Sequence, residues 1–253
     1  MRKLNLLLLF ICLILKSYAQ TEAAKFKQSW KKQILGTTDI KQQFANHDLS
    51  KLWTVTDNQS VYGFIGDNYQ RIRIKFISIK KAGAFTYVVT GKTKVRDNIC
   101  NFKGTFTIAD LRKYQGTSYG VDNKYKNKLK NQYTILGDYT LTEDSTQKNT
   151  GVFKGIFKTD FYVDNNNKIH YDDIDIHADG FTNNEFVGSW AQYTTQKAKR
   201  CNWGDYRIPN SGDLDVGAGE FSANEKYIKN GWLETYNKSK PATSNKPPLE
   251  WWQ

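Results

Sequence analysis

The stretch Tyr87–Ile108 constrains the fold most strongly, because apolar and polar residues alternate on both sides of a short turn. Alternation with a period of two is typical of a β-strand that buries one face. With Asp97 and Asn98 as a two-residue turn, Gly91 would face Gly104 across the hairpin. The stretch therefore predicts an antiparallel hairpin that contains a pair of facing glycines.

The same pattern recurs later in the chain. Residues 133–159 carry a second copy, in which Gly137 would face Gly155, and the Phe-x-Gly-x-aromatic element occurs again at Phe186–Trp190. Facing glycines mark a bend or a close approach of two strands. Roughly eight to ten strands in hairpin order, with no strand–helix–strand signature, predict a mainly β chain. We expect an antiparallel hairpin-repeat β-barrel, with a two-sheet β-sandwich as the alternative.

The first 19 residues have the composition of a signal peptide. A basic pair precedes the apolar run Leu4–Leu15, which is too short to span a bilayer, and the small residues Ser17 and Ala19 stand before Gln20. The pattern predicts cleavage before Gln20 and an exported protein that is periplasmic, at the cell surface or secreted. An uncleaved membrane anchor is the alternative. No transmembrane segment is expected after cleavage.

Three further segments follow the predicted signal peptide. Residues 20–55 are expected to be helical at first, because apolar residues recur at i, i+4 and i+8 from Phe26. Residues 56–236 form the predicted antiparallel β domain. Residues 237–253 are a Pro/Lys/Ser linker that ends in a Trp-rich tail.

Two cysteines, Cys100 and Cys201, remain after the predicted cleavage. An exported protein with two cysteines usually pairs them, so the sequence predicts a disulfide that would contribute about 4–5 kcal/mol in the chain-entropy description. Two buried free thiols are the alternative.

The formal net charge of +12 raises the question of an anionic partner. The bases are spread along the chain and form no arginine-rich arm, which argues against a nucleic acid partner. Lysines on the solvent faces of β-strands explain the charge better. No cofactor is predicted.

Patterns that would indicate catalysis are weak. Residues 169–177 read as a strand with two aspartates and a histidine on one face, but a solvated polar face explains them better than a metal site. The sequence holds no G-x-S-x-G motif and no pair of glutamates in an alternating strand. We therefore assign no catalytic residue and no metal ligand.

Aromatic residues make up 14% of the chain, and several fall in a Gly/Asp/Asn-rich segment after residue 199. That segment reads as an irregular loop, where binding residues concentrate. Two arginines on one face of a predicted strand could pair with an anionic ligand. The candidate ligand-binding residues are Trp203, Tyr206, Trp232, Arg71 and Arg73.

The Tyr-Ala-Gln end of the signal peptide, the heavy use of Lys, Asn and Ile, and the strand sequence YGFIGDNYQRIRIKFISI resemble β-rich families of exported Bacteroidota proteins. The Phe-x-Gly-x-aromatic segments are loosely similar to the glycine–tryptophan strand motif of lipocalin-like barrels. This resemblance implies a fold by analogy and carries over no functional residue.

Together these observations predict an exported, non-enzymatic binding protein for a small or glycan-like ligand. One alternative is a carbohydrate-active enzyme. Another is an envelope component that contacts a protein partner or has a structural role, using Trp251 and Trp252 of the tail.

Overall fold

The structure is a computed structural model that describes residues 22–236 and 250–253. The predicted signal peptide and most of the Pro/Lys/Ser linker lie outside the described residues. Residues 22–31 form helix α1, and Leu233–Tyr236 form the short helix α2. Short 3-10 helices cover Lys41–Phe44, Ser50–Trp53, Asn58–Ser60, Val121–Asn123 and Glu225–Asn230. The strands are β1 (Val61–Ile65), β2 (Gln70–Lys81), β3 (Thr86–Val95), β4 (Asn98–Lys113), β5 (Leu129–Glu143), β6 (Gly151–Asp164), β7 (Ile169–Tyr171), β8 (Asn183–Gln192) and β9 (Ala198–Asp205).

Eight of these strands close into an antiparallel barrel. Strands β1 to β6 pair in sequence order, β6 pairs with β8, β8 with β9, and β9 returns to β1. Strand β7 pairs with the end of β6 outside the barrel. Closure leaves none of the eight strands with an open edge, which removes the risk of edge-to-edge association. The predicted hairpin-repeat barrel is confirmed over the sandwich.

The predicted register of the first repeated hairpin is wrong by two residues. The turn consists of Arg96 and Asp97, with Arg96 in the left-handed region at a φ of 53°. Gly91 consequently faces Phe102, and Gly104 faces Val89. A shift of two residues keeps the same side chains on the inner face, which is why the alternation itself predicted the burial correctly.

A glycine opposite an aromatic residue is the recurring unit of the barrel. Gly91 faces Phe102, and Gly137 faces Phe157 instead of the predicted Gly155. A Cβ added to Gly137 would lie 2.5 Å from Cε1 of the Phe157 ring. The ring from the neighbouring strand thus occupies the space above the glycine, an arrangement that permits tight curvature.

Facing glycines do occur, at Gly155 of β6 and Gly188 of β8. The hydroxyl of Tyr139 lies over both, since a Cβ added to Gly155 would come within 2.8 Å of it. This pair combines the second and third copies of the sequence motif, which the hairpin interpretation kept apart.

Aromatic side chains fill the middle of the barrel. Phe186 stacks on Trp203 at a ring-centroid distance of 4.7 Å and an interplanar angle of 11°. Phe106 lies 5.1 Å from Phe157 and 5.5 Å from Phe186. The centre of the barrel is therefore a packed core and not an apolar cavity, as eight-stranded barrels allow.

One end of the barrel is closed by the segment that precedes β1. Trp53 inserts its indole among the core rings and donates from Nε1 to Thr159 Oγ1 at 2.8 Å. Beside it, the buried carboxylate of Asp205 accepts hydrogen bonds from Thr56, Tyr171 and Asn184. In the described part of the predicted helical segment 20–55, which begins at residue 22, only residues 22–31 form an α-helix. The part that plugs the barrel consists of 3-10 turns and loops.

Two layers cover parts of the outer surface. Helix α1 packs on β5 through Trp30, whose Nε1 donates to Thr134 Oγ1 at 3.0 Å. The chain after β9 covers the outer face of β1, where Trp232 is buried in a second apolar cluster with Tyr62 and Phe64.

The predicted disulfide is wrong, because Cys100 and Cys201 are both buried free thiols. Cys100 lies on β4 and Cys201 on β9, and three strands separate these two in either direction around the barrel. The two strands are therefore diametrically opposed. Cysteine Cα atoms must lie within about 7 Å of each other to form a disulfide, and a barrel interior filled with side chains holds opposite strands farther apart.

Candidate functional site

The end of the barrel opposite Trp53 is open and holds a cavity of about 520 Å³. Its walls come from the ends of all eight barrel strands and the turns between them. The lining residues are Ile65, Asn68, Gln70, Ile72, Thr93, Val95, Arg96, Asp97, Asn98, Glu143, Asn149, Phe153, Trp190, Gln192 and Lys199. We call this cavity the barrel mouth. Its volume lies within the range of small-molecule sites, about 300–1,000 Å³.

Glu143 is the buried acid of the barrel mouth, with a side chain that is 4% exposed. Its Oε1 accepts from Thr93 Oγ1 at 2.5 Å, and its Oε2 accepts from Trp190 Nε1 at 2.8 Å and from the Gly151 backbone N–H at 2.9 Å. The three donors come from β3, β8 and β6, so the carboxylate links strands on different sides of the mouth. A carboxylate offers about four acceptor positions, which leaves about one for another donor.

Burial raises the pKa of Glu143 above its ordinary value, because the charged form loses solvation. The hydrogen bonds from Thr93, Trp190 and Gly151 act in the opposite direction. The group is thus an acid held in a fixed orientation in a poorly solvated place.

The rim of the mouth carries amide and basic side chains. Arg96 donates from Nε to Gln70 Oε1 at 3.1 Å. Asn149 lines the wall from the β5–β6 loop, and Gln192 lines it from the end of β8. The Lys199 ammonium lies 5.7 Å from the ring centroid of Trp190. The mouth therefore presents amide and basic hydrogen-bonding groups together with apolar side chains.

Of the two residues Trp203 and Tyr206, which were predicted to lie in an irregular loop, only Tyr206 does so. Trp203 belongs to β9 and points into the barrel core, where it is 1% exposed. Tyr206 directly follows β9 at the plugged end and packs edge-on against Phe181 at 5.1 Å. Trp203 and Tyr206 do not line a common cavity, and neither residue lines the barrel mouth.

The other three predicted site residues come together on the outside of the barrel. The Arg71 guanidinium lies 5.3 Å from the ring centroid of Trp232, and Glu234 is within ion-pair distance of both Arg71 and Arg73. Trp232 is fully buried, and its Nε1 donates to the Tyr69 carbonyl at 2.7 Å. The arginines line a separate outer cavity.

The strand predicted at residues 169–177 is correct only as far as Tyr171, where β7 ends. The following residues form turns, and the half-buried Asp172 accepts a hydrogen bond from Gln132 Nε2 at 2.8 Å. Across the described ranges, 22–236 and 250–253, the structure brings no three His, Cys, Asp or Glu side chains into a metal-binding group.

The Trp-rich tail folds back onto the barrel. Trp251 donates from Nε1 to Asn58 Oδ1 at 3.1 Å, and the carbonyl of Trp252 accepts from Lys92 Nζ at 2.6 Å. Both indoles are partly buried. A protein partner at these residues stays a prediction.

Glu143 was missed by the sequence analysis, although a signal for it exists. The stretch YTLTE, residues 139–143, alternates strictly, so Glu143 falls on the same inward face as Leu141 and Tyr139. An acid on a core face is expected to have buried hydrogen-bond partners, which is what the structure shows.

Comparison with known proteins gave no significant match to a protein family, a curated protein or a solved structure. Within the part of the chain that is described, no helix has both the length and the apolar character needed to cross a bilayer.

Proposed function

We propose that this chain is an exported, non-enzymatic binding protein that holds a small, glycan-like ligand at the barrel mouth. The observation that carries the proposal is the buried Glu143 carboxylate, fixed by three donors at the floor of an open cavity of about 520 Å³. A preorganised acceptor of this kind loses little entropy when it binds a ligand hydroxyl.

The chemistry of the lining supports a ligand that has both hydroxyl groups and apolar faces. Phe153 and Trp190 supply apolar surface, while Gln70, Gln192 and Asn149 supply amide donors and acceptors. Sugars combine these two features, since their ring C–H faces pack on aromatic rings and their hydroxyls bond to amides and carboxylates.

Export is part of the proposal and is supported by the signal-peptide composition of the first 19 residues. An exported protein would bind a ligand that is present outside the cytoplasm, whether the protein stays in the periplasm, stays at the cell surface or leaves the cell.

A thermal-shift screen against neutral mono- and disaccharides tests the proposal. A ligand at about 100 times its Kd stabilises the folded state by about 2.7 kcal/mol, which raises the melting temperature by several degrees. We expect at least one saccharide to stabilise the wild type and to stabilise Gln192→Ala less. Gln28→Ala, on the exposed face of α1, removes the same side chain away from the mouth and is the matched control.

Two results would argue against the proposal. One is that no saccharide in the panel raises the melting temperature of the wild type. The other is a stabilisation that remains undiminished in Gln192→Ala, which would place the ligand elsewhere.

A carbohydrate-active enzyme is the second candidate, favoured by the raised pKa of Glu143, since buried acids with raised pKa values act as general acids in glycoside hydrolysis. Such an enzyme also needs a second carboxylate, and the other acid of the lining is Asp97, which is exposed in the β3–β4 turn. Hydrolysis of aryl glycosides by the wild type, lost in Glu143→Gln, would favour the enzyme.

A further inference from the structure

The outer faces of β2 and β3 carry a strip of five basic side chains. Arg73 lies directly opposite Lys94, and Lys75 lies directly opposite Lys92. Like charges in directly opposite positions of an antiparallel pair are destabilising. The strip consists of Arg71, Arg73, Lys75, Lys92 and Lys94, and we call it the basic strip.

Arg71 is the buried member of the basic strip, with a side chain that is 9% exposed. Its Nε and Nη1 have no hydrogen-bond partner among the described residues. Nη1 lies 3.6 Å from Glu234 Oε2, which is an ionic contact but too long for a good hydrogen bond. Burial and the neighbouring Arg73 lower the pKa of Arg71 to about 10. A buried guanidinium with unused donors is costly unless something accepts from it.

A cavity of about 420 Å³ lies beside the basic strip. Arg71, Arg73 and Lys94 line it on the barrel side, and Trp251 and Trp252 line it on the side of the tail. The tail is held to the basic strip by Lys75, whose ammonium lies 4.6 Å from the Trp252 ring centroid, and by the Lys92 hydrogen bond to the Trp252 carbonyl.

The acids at this cavity do not balance its bases. Glu234 bonds to Arg73 Nη2 at 2.6 Å and is 72% exposed, and Glu250 also lines the cavity. Two lysines of the strip, Lys75 and Lys92, lie next to it as well. Residues 237–249 contain three lysines and no aspartate or glutamate, so this segment can supply no countercharge.

We propose that the cavity beside the basic strip binds a tetrahedral oxyanion, the phosphate or sulfate group of a ligand, through the guanidinium of Arg71, which lines it. A guanidinium is planar, stays charged at neutral pH and is a common partner of phosphate oxygens. Lys94 adds a second positive charge on the same side of the cavity.

This site is separate from the barrel mouth. Arg71 and Arg73 point outward from β2, whereas Ile72, between them, points inward and lines the mouth. The oxyanion proposal therefore stands or falls independently of the saccharide proposal.

Isothermal titration calorimetry with inorganic phosphate and, separately, with sodium sulfate tests the oxyanion site on the chain that begins at Gln20, in a low-salt chloride buffer. We expect one or both anions to bind, and Arg71→Gln and Lys94→Gln each to weaken that binding by about tenfold or more, which corresponds to the loss of one charged hydrogen bond. The two titrations distinguish a phosphate from a sulfate ligand.

Lys80→Gln is the matched control, because Lys80 is an exposed lysine further along β2 and its loss changes the net charge equally. Its affinity should stay within about twofold of the wild type. If Arg71→Gln fails to fold, Lys94→Gln decides the question, since Lys94 is only partly buried. The proposal is overturned if neither anion binds the wild type, or if Lys80→Gln weakens binding as much as Lys94→Gln does.

Discussion

The substitution Gly155→Ala probes the closest approach between barrel strands. An added Cβ would lie 2.7 Å from Gly188 Cα and 2.8 Å from the Tyr139 hydroxyl, and it would overlap the Val187 carbonyl oxygen. None of these groups can move easily. Val187 O belongs to the β6–β8 pairing, and the Tyr139 ring is fixed 5.0 Å from Trp203.

The magnitude follows from these contacts. Overpacking a filled core costs about 1–3 kcal/mol, and weakening one ladder hydrogen bond adds about 1 kcal/mol. We expect Gly155→Ala to lower the free energy of unfolding by about 2–4 kcal/mol in equilibrium urea denaturation followed by tryptophan fluorescence.

Gly116→Ala is the matched control for this measurement. A Cβ at Gly116 would meet nothing within 4 Å, so this change should stay within about 0.5 kcal/mol of the wild type. If Gly155→Ala costs no more than Gly116→Ala, the strands do not approach as closely as described and the account of the glycine motif is incorrect.

Three further predictions concern the thiols, two aspartates with raised pKa values, and Trp53 in the plugged end of the barrel. Ellman's reagent should titrate two thiols in the unfolded, unreduced chain that begins at Gln20 and almost none in the folded chain. The folded thiols react poorly because burial raises the pKa of Cys100 to about 11 and also raises that of Cys201. If no thiols are titrated after unfolding, the two cysteines form a disulfide and the account is wrong. Burial raises the pKa of Asp172 and Asp205 from 3.8 to about 6. Between pH 4 and pH 6 the unfolded chain therefore binds fewer protons than the folded chain. The contribution of each aspartate to the free energy of unfolding thus falls as pH rises from about 4 to 6, by up to about 3 kcal/mol. Asp205→Asn should flatten that slope in urea titrations at pH 4 to 7, and an unchanged slope would contradict the assignment. Trp53→Phe, which removes the hydrogen bond to Thr159 and part of the plug, should cost about 2–4 kcal/mol by the same assay.

The alternation of apolar residues was sufficient to predict the barrel, because each strand must bury one face and the hairpin order leaves few other topologies. The register was not predictable from alternation alone. Pairing Val95 with Cys100 or with Asn98 leaves the same side chains inside, and the choice depends on Arg96 adopting a positive φ.

The state of the two cysteines and the location of the candidate site could not be predicted without knowing which strands are neighbours in the barrel. Two cysteines in an exported chain suggest a pair, but only the strand order shows that Cys100 and Cys201 lie across the barrel from each other. Glu143 likewise accepts hydrogen bonds from Trp190 and Gly151. These two residues are distant from each other in sequence and come together only because their strands are neighbours in the barrel. The aromatic content of its segment suggested a binding role for Trp203. In the structure Trp203 lies on the inward face of β9 and is a residue of the barrel core.

The most direct test of the barrel-mouth site is the tryptophan indole region of a ¹H–¹⁵N NMR spectrum during saccharide titration. The chain has seven tryptophans, and the signal of Trp190 can be assigned from its loss in Trp190→Phe. Trp30 and Trp232 donate to groups on the outside of the barrel and serve as internal references. We predict that at least one saccharide shifts the Trp190 indole signal saturably and leaves those of Trp30 and Trp232 in place. If the Trp190 signal stays fixed across the panel, or moves only together with the two references, the barrel mouth is not a saccharide site.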